Sequence, residues 1–530
     1  MQKIEIYDTT LRDGSQGAGI SFSVEEKLVI TKILDDLGVD FIEGGWPGSN
    51  PKDELYFKKV KELPLKNTKI AAFSSTRRKG TLPHNDFFLR QMVDSNADCY
   101  CLFGKSWDRQ VLEALNVSLD ENLLMIRDSI EYLKKETGRP IFFDCEHFFD
   151  GYKSNSVYAE KVIKTAHEAG AERVILCDTN GGSFPEEIRT IVGNLKILKN
   201  IKWGIHAHND GCLAVANTLD AVFSGCKQVQ GTFNGIGERC GNTDLTSVIP
   251  NLQLKKGYNC LPSDGLKNLF KISQKIWELT HSKDRENQPF VGKHAFSHKG
   301  GIHVSAIDKA PEFYEHIKPE LIGNKRNILI SELSGRSNIL SKFKDQYPQL
   351  ENKTIIKKIL NLIQEKEKEG LSFEGADAGL ELLLREILGF KDSFLQKDYL
   401  KISDINFGKK KFSEASLSFF FEGRKKMAVS EGVGPIDALS KALRKSLIPF
   451  YPKVTQLKLT DYQVRIIDGH DGTKAKVRVI IEHQFEGTRP FSTVGMNENI
   501  IEASWDALVD ALKYFILKEN QTCLHMDTGY

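Results

Sequence analysis

The sequence lacks a charge excess of either sign: 73 Lys and Arg stand against 71 Asp and Glu, for a formal net charge of +2. That balance excludes a broad basic face for nucleic acid or anionic membrane, while leaving room for a local anion site. No uncharged apolar run approaches the roughly 18 residues that span a bilayer, so no membrane partner is expected. The N-terminus, MQKIEIYDTTLRDGS, has no basic segment leading into an apolar stretch, and no secretory signal is expected. Nine cysteines (Cys99, Cys101, Cys145, Cys177, Cys212, Cys226, Cys240, Cys260 and Cys523) are scattered and contain no CxxC pair. This argues against a disulfide framework or zinc cluster and for reduced thiols in a cytoplasmic protein. With 40% hydrophobic and 27% charged residues, disordered and fibrous architectures also drop out.

What is present is an alternation. Eight short β-rich runs occur at 3–8, 39–44, 69–74, 98–103, 140–145, 173–178, 202–207 and 228–233. Helical periodicity fills the gaps, as at 23–38 and 155–170. Apolar strands alternating with amphipathic helices predict a parallel sheet covered by helices. Eight units favour a closed (β/α)8 TIM barrel over an open doubly wound sheet, because polar residues cluster after nearly every strand, where such a barrel keeps its active site.

The pattern changes after residue 280. Residues 281–300 are polar and read as a linker, and 351–399 read as helical, with the charged run at 365–370 as a solvated helix end. Strand-like alternation resumes at 411–423 and 474–487, each followed by a helix carrying DALxxAL, at 436–445 and 505–514. The repeated string predicts a small α/β domain with duplicated β-α units. The expected division is a barrel over 1–270, linker and helical subdomains over 271–399, and a C-terminal domain over 400–530.

The strongest chemical signal is GIHAHND at 204–210. Residues two apart on a strand share a face, so His206 and His208 converge at the barrel mouth as ligands for a divalent cation. Asp13, in TTLRDG just past the first strand, can join them because the first, eighth and seventh strands are neighbours; otherwise it is a loop cap paired to Arg12. Two imidazoles and a carboxylate suit Mn²⁺, Mg²⁺, Fe²⁺, Co²⁺ or Zn²⁺ alike. Arg12 would stabilise negative charge on the oxygen of a 2-oxo acid. Thr179, in CDTNGG at 177–182, offers a hydroxyl to a substrate carboxylate, or merely caps a turn. Asn242, in NGIGERCGNTDL at 234–245, could give the ion another oxygen. Glu146, in FFDCEHFF at 142–149, could be a general acid or base, or the partner of a nearby cation. His303, in HKGGIHVSAI at 298–307, is a second proton-transfer candidate, or a polar linker residue.

Together TTLRDGSQG, EGGWPGSNPKD at 43–53, GIHAHND, NGIGERCGNTDL and SELSGRSNI at 331–339 closely resemble the citramalate synthases. These belong with 2-isopropylmalate synthase, homocitrate synthase and hydroxymethylglutaryl-CoA lyase. The resemblance implies condensation of acetyl-CoA with pyruvate and thioester hydrolysis to (R)-citramalate and CoA, on a threonine-independent route to isoleucine. It implies Asp13, His206, His208 and Asn242 as metal ligands, with Mn²⁺ or Mg²⁺ ahead of Zn²⁺ or Co²⁺. It also implies that Arg12 polarises the keto oxygen, Thr179 holds the carboxylate, Glu146 is the catalytic glutamate, and His303 comes from a neighbouring subunit of a homodimer.

The C-terminal domain resembles the leucine- or isoleucine-sensing domain of these synthases, with effector loops at 432–439 and 468–479 and isoleucine as the expected effector. One departure stands out: Ile328 lies where a tyrosine is usual, so Tyr314 substitutes or hydrolysis is arranged differently. The alternatives are condensation with another 2-oxo acid, carbon–carbon cleavage on the same site, or a silent amino-acid sensor.

Overall fold

The computed structural model describes residues 2–198, 200–331, 334–390, 396–407, 410–421, 423–467, 475–485 and 490–526. The chain divides into two compact units, Met1–Phe296 with Ile317–Arg326, and Ser297–His316 with Asn327–Tyr530.

The first unit is a closed barrel of eight parallel strands in sequence order, not an open sheet. They are β1 (Glu5–Asp8), β2 (Phe41–Gly45), β3 (Lys69–Ser75), β4 (Cys99–Lys105), β5 (Ile141–Glu146), β6 (Arg173–Asp178), β7 (Trp203–Ala207) and β8 (Gln228–Gly231). The register Glu5↔Gln228 through Asp8↔Gly231 joins β1 to β8 and closes the ring. Helices follow the strands for local reasons. Ser23 and Glu26 form a capping box at the start of Val24–Leu37, and Gly38, at φ 91°, ends that helix.

Side chains pointing into the barrel form layers, as the two-residue period of its strands requires. The floor is ionic: Arg173 reaches Glu5 at 2.5 Å, and Gln228 donates to the other Glu5 oxygen at 3.2 Å. Above it Tyr7, Phe41 and Phe142 pack ring against ring, with centroids 5.1–5.9 Å apart, beside Ala71 and Cys99. The top layer is again polar and holds Glu43, Asp144, His206 and Gln230, all buried. Under the β2 loop, buried Lys27 pairs with Asp53 at 2.5 Å and donates to the Gly44 carbonyl at 3.0 Å, fixing the chain that carries Trp46.

In the second unit β9 (Ser297–His298) and β10 (Asn327–Ile328) pair in parallel, followed by helices Arg336–Phe343, Lys353–Lys368 and Asp377–Ile387. Two antiparallel three-stranded sheets come next. The first is β11 (Gln396–Phe407), β12 (Lys410–Phe421) and β13 (Arg424–Gly432), followed by helix Pro435–Leu447. The second is β14 (Lys458–Ile466), β15 (Val477–Gln484) and β16 (Phe491–Asn497), followed by helix Ile500–Met526. Both repeats share one core, in which Leu417, Phe419, Leu439 and Leu443 meet Val479, Ile481, Leu508 and Leu512.

The duplication is therefore three strands and a helix, where the sequence showed one strand and a helix. β13 and β14, which the sequence reading passed over, are mostly exposed. Residues 468–474 of the second expected effector loop, and 332–333 of SELSGRSNI, lie outside the described residues.

His483 on β15 is 1% exposed, and its Nδ1 has no hydrogen-bond partner. Burial, and then the charge of Arg444, lower its pKa from 6.5 to about 4. Between those values the unfolded imidazole binds a proton that the folded one refuses, so stability is lost as pH falls through that window, by on the order of 3 kcal/mol in all. His483→Leu is expected to flatten this slope, narrowing the difference in thermal midpoint between pH 7.5 and pH 5; an unchanged difference would contradict the assignment.

Candidate metal centre and active site

Asp13 follows β1 and is 3% exposed. Its Oδ2 lies 3.3 Å from His206 Nε2, 3.7 Å from His208 Nε2, 3.3 Å from an Arg12 terminal nitrogen and 3.1 Å from the Asn242 amide nitrogen. His206 and His208 leave the end of β7 on one face, with ring centroids 5.3 Å apart. One ligand atom from each of Asp13, His206 and His208 falls within 4.8 Å of the others, and all three residues are buried.

Electrostatics pull the two imidazoles in opposite directions: burial would lower the His206 pKa, but the hydrogen bond and charge of Asp13 outweigh it and raise it. Burial alone would raise the Asp13 pKa, but Arg12 and His206 outweigh it and hold the carboxyl well below the usual carboxylate range. Burial, and then His206, lower the His208 pKa to about 4, so its imidazole is neutral at pH 7, as a ligand must be. Asp13 Oδ1, His208 Nδ1 and Asn242 Oδ1 are buried without a hydrogen-bond partner. The unsatisfied Asp13 Oδ1, beside the Nε2 atoms of His206 and His208, fits a divalent cation.

The loop after β8 is shaped around this point. A Cβ on Gly237, at φ 154°, would come within 1.9 Å of Asn242 Oδ1, so only glycine lets the amide sit there. His208 and Asn242 form an isolated antiparallel bridge. In the structure the Asn242 NH2 faces Asp13 and His206, and a half-turn of the amide presents the oxygen instead.

Arg12 is held on three sides. Its Nε meets Glu43 Oε2 at 2.5 Å, a terminal nitrogen meets Asp13, and the guanidinium lies 3.7 Å from the centroid of the Phe73 ring. Glu43 in turn accepts from the Tyr7 hydroxyl at 2.9 Å.

Thr179, past β6, accepts the His147 N–H at 2.8 Å, so its own O–H is left to donate. Its carbonyl accepts from Arg239 at 2.8 Å, and Arg239 grips Asp210 through two hydrogen bonds of 2.8 and 3.1 Å. Glu146 ends β5 beside Lys105, its register partner on β4, and the two form an ion pair. The expected site residues thus separate into three groups. Arg12, Asp13, His206, His208 and Asn242 converge; Thr179 and Glu146 stand on neighbouring strand ends. His303 lies in the second unit, exposed on helix Gly301–Ile307, its ring 4.3 Å from that of Tyr314.

Sequence reasoning missed Glu43, Lys105, Asp144 and Gln230. Their signal was a charged or amide residue at an inward position of an otherwise apolar strand, which is rare unless the residue is paired or functional.

Comparison with known proteins gives the family. A family model described as HMGL-like matches residues 3–276. A homocitrate synthase post-HMGL domain-like model matches 290–370, and a LeuA allosteric (dimerisation) domain model matches 374–516. The chain is 47% identical over 524 residues to an (R)-citramalate synthase of Aquifex aeolicus (strain VF5), covering 98% of this chain and 99% of that one. It is 45% identical to an (R)-citramalate synthase of Geobacter sulfurreducens over 98% of this chain and 99% of that one. A 2-isopropylmalate synthase of Methanocaldococcus jannaschii is 31% identical over 98% of this chain and 96% of that one. With matches of this length and identity at both levels, the chain belongs to the HMGL-like family and, within it, to the (R)-citramalate synthases.

Proposed function

We infer that this chain is an acyltransferase that condenses acetyl-CoA with pyruvate and hydrolyses the thioester, releasing (R)-citramalate and CoA, at the start of a pyruvate route to isoleucine. The observation that carries the reading is identity of 42–47% to five (R)-citramalate synthases over nearly the whole chain. The buried Asp13, His206 and His208 set supports assigning the chemistry to the barrel mouth.

Asp13, His206, His208 and the Asn242 oxygen would hold a divalent cation, Mn²⁺ or Mg²⁺ by preference, which when bound would supply Lewis-acid polarisation of the 2-oxo carbonyl. Arg12, immobilised by Glu43 and Phe73, adds a fixed positive charge where the carbonyl oxygen becomes negative, and a preorganised charge of this kind is worth about 3 kcal/mol or more of barrier. Thr179 has a free O–H for the substrate carboxylate. Glu146, with Lys105 as counter-ion, moves the proton of the thioester methyl group, and a positioned base contributes about 10²- to 10⁴-fold. His303 belongs to the hydrolytic half, supplied by the partner subunit of a homodimer. Its neighbour Tyr314, whose ring is tilted against it, takes the place of the missing tyrosine at Ile328.

Isoleucine is the feedback effector, bound in the domain that matches the LeuA allosteric model. No helix among the described residues is long and apolar enough to cross a membrane, which is compatible with the cytoplasmic setting we assign. The three-domain division at residues 270 and 399 remains our reading of the chain.

Thiol release from acetyl-CoA with Mn²⁺ is expected to be fastest with pyruvate among pyruvate, 2-oxoisovalerate and 2-oxoglutarate. Preference for 2-oxoisovalerate would overturn the assignment. His208→Ala should stay folded by circular dichroism yet lose both Mn²⁺ binding and metal-dependent turnover, and full turnover in that variant would remove it from the ligand set. Isoleucine should inhibit the full-length protein more strongly than leucine or valine do; equal insensitivity to all three would dismiss it as effector.

A further inference from the structure

Several buried polar groups beneath the centre have no part in the reaction described above. Gln230 on β8 is fully buried, with Oε1 2.9 Å from Nδ1 of His206. Its Nε2 donates to Oδ1 of Asp144 on β5 at 3.2 Å, and the Cys101 thiol donates to that same oxygen at 3.2 Å. On the far edge of the imidazole, Nε2 lies 3.1 Å from the Asn242 amide nitrogen and 3.3 Å from Asp13 Oδ2.

A carboxylate can only accept hydrogen bonds, so Asp144 dictates which end of the Gln230 amide faces it. The NH2 turns to Asp144, and the carbonyl oxygen is left for His206. That oxygen can also only accept, so the imidazole proton is fixed on Nδ1. Nε2 then keeps its lone pair, directed at Asp13 and Asn242. Were the amide reversed, its NH2 would donate to Nδ1, the proton would move to Nε2, and the ring would offer a cation no electrons.

We propose that Asp144 and Gln230 form a relay that sets the tautomer of His206 and so prepares its Nε2 as a ligand. The inference rests on the metal-site reading above. Three features of the fold support it. Gln230 is the register partner of His206 across β7 and β8, so the contact is built into the sheet. The carboxylate comes from β5, on another side of the barrel interior. The thiol of Cys101 occupies the same carboxylate oxygen, so the amide sees an acceptor and nothing else there. Both are positioning residues, since each acts on the centre through His206. Partners of this kind behind a histidine ligand typically contribute about 10- to 100-fold in metal affinity.

The test is Mn²⁺ titration of the full-length protein, with free Mn²⁺ followed by electron paramagnetic resonance. Gln230→Met keeps the length of the side chain and removes the acceptor; Asp144→Asn frees Gln230 to reverse. Each is expected to bind Mn²⁺ about 10- to 100-fold more weakly. The double variant Asp144→Asn with Gln230→Glu rebuilds the direction of the relay, because the new amide donates to a new carboxylate that accepts the Nδ1 proton. It is expected to recover most of the lost affinity, which a purely structural role would not provide.

Parental affinity in either single variant, or a folded double variant as weak as the singles, would overturn the relay. His208→Ala separates the two readings: parental Mn²⁺ affinity there brings down the metal site itself, whereas loss there with Gln230→Met unaffected brings down only the relay. If the single variants do not fold, nitrogen-15 spectra of the histidine-labelled parent without metal still decide. With the His206 signal assigned by its loss in His206→Gln, and the pH high enough that the ring is neutral, a proton on Nδ1 with none on Nε2 supports the relay and a proton on Nε2 overturns it.

Discussion

One buried carboxylate organises the mouth of this barrel. Asp13 sits where charge is expensive, and nearly every polar residue around it answers that cost. Arg12 neutralises it from the same loop, His206 and His208 approach from β7, and Asn242 arrives from 229 residues further along the chain. The guanidinium brings its own demand, met by Glu43, and Glu43 is met by the Tyr7 hydroxyl. Each hydrogen bond satisfies one group and orients the next, so what looks like a short list of site residues is one connected network. A cation there completes a set of acceptors that is otherwise left partly unsatisfied.

The barrel was legible because its signals are local. Eight apolar runs each carry a strand within about two residues of the expected bounds, and capped helices such as Val24–Leu37 start and stop where Ser23 and Gly38 direct. His206 and His208 could be placed together because the two-residue period of a strand is rigid geometry, and Asp13 could be added because strand order makes β1 and β7 near neighbours. Glu43, Lys105, Asp144 and Gln230 were overlooked for the complementary reason. Their meaning depends on which strand faces which across the interior, and no spacing within a single strand encodes that. The strands β13 and β14 were passed over because an edge strand turned mostly to solvent buries little apolar surface, even where it alternates as at Tyr462, Val464 and Ile466.

The second unit shows duplication at work in packing. Helices Pro435–Leu447 and Ile500–Met526 each lie on a three-stranded sheet, and the repeated DALxxAL places Ala438, Leu439, Ala442 and Leu443 of one, and Ala507, Leu508, Ala511 and Leu512 of the other, in buried positions. Small residues alternating with leucine let each helix lie close to its sheet while still filling volume. Two copies of one solution then share a single core, and the glycine-rich turn before the first helix stands at its edge.

The layer of Tyr7, Phe41 and Phe142 has a role that its packing alone does not reveal. It divides the barrel interior into two electrically distinct compartments, with the Glu5–Arg173 pair below and the Asp13 network above. The floor pair neutralises itself, and the carboxylates above it meet Arg12 and hydroxyl, amide and thiol donors on their own side, so neither compartment draws a hydrogen-bonding partner from the other. Sequence change at the floor can therefore alter how firmly the barrel holds together without retuning the chemistry at its mouth, and the two properties are free to evolve apart.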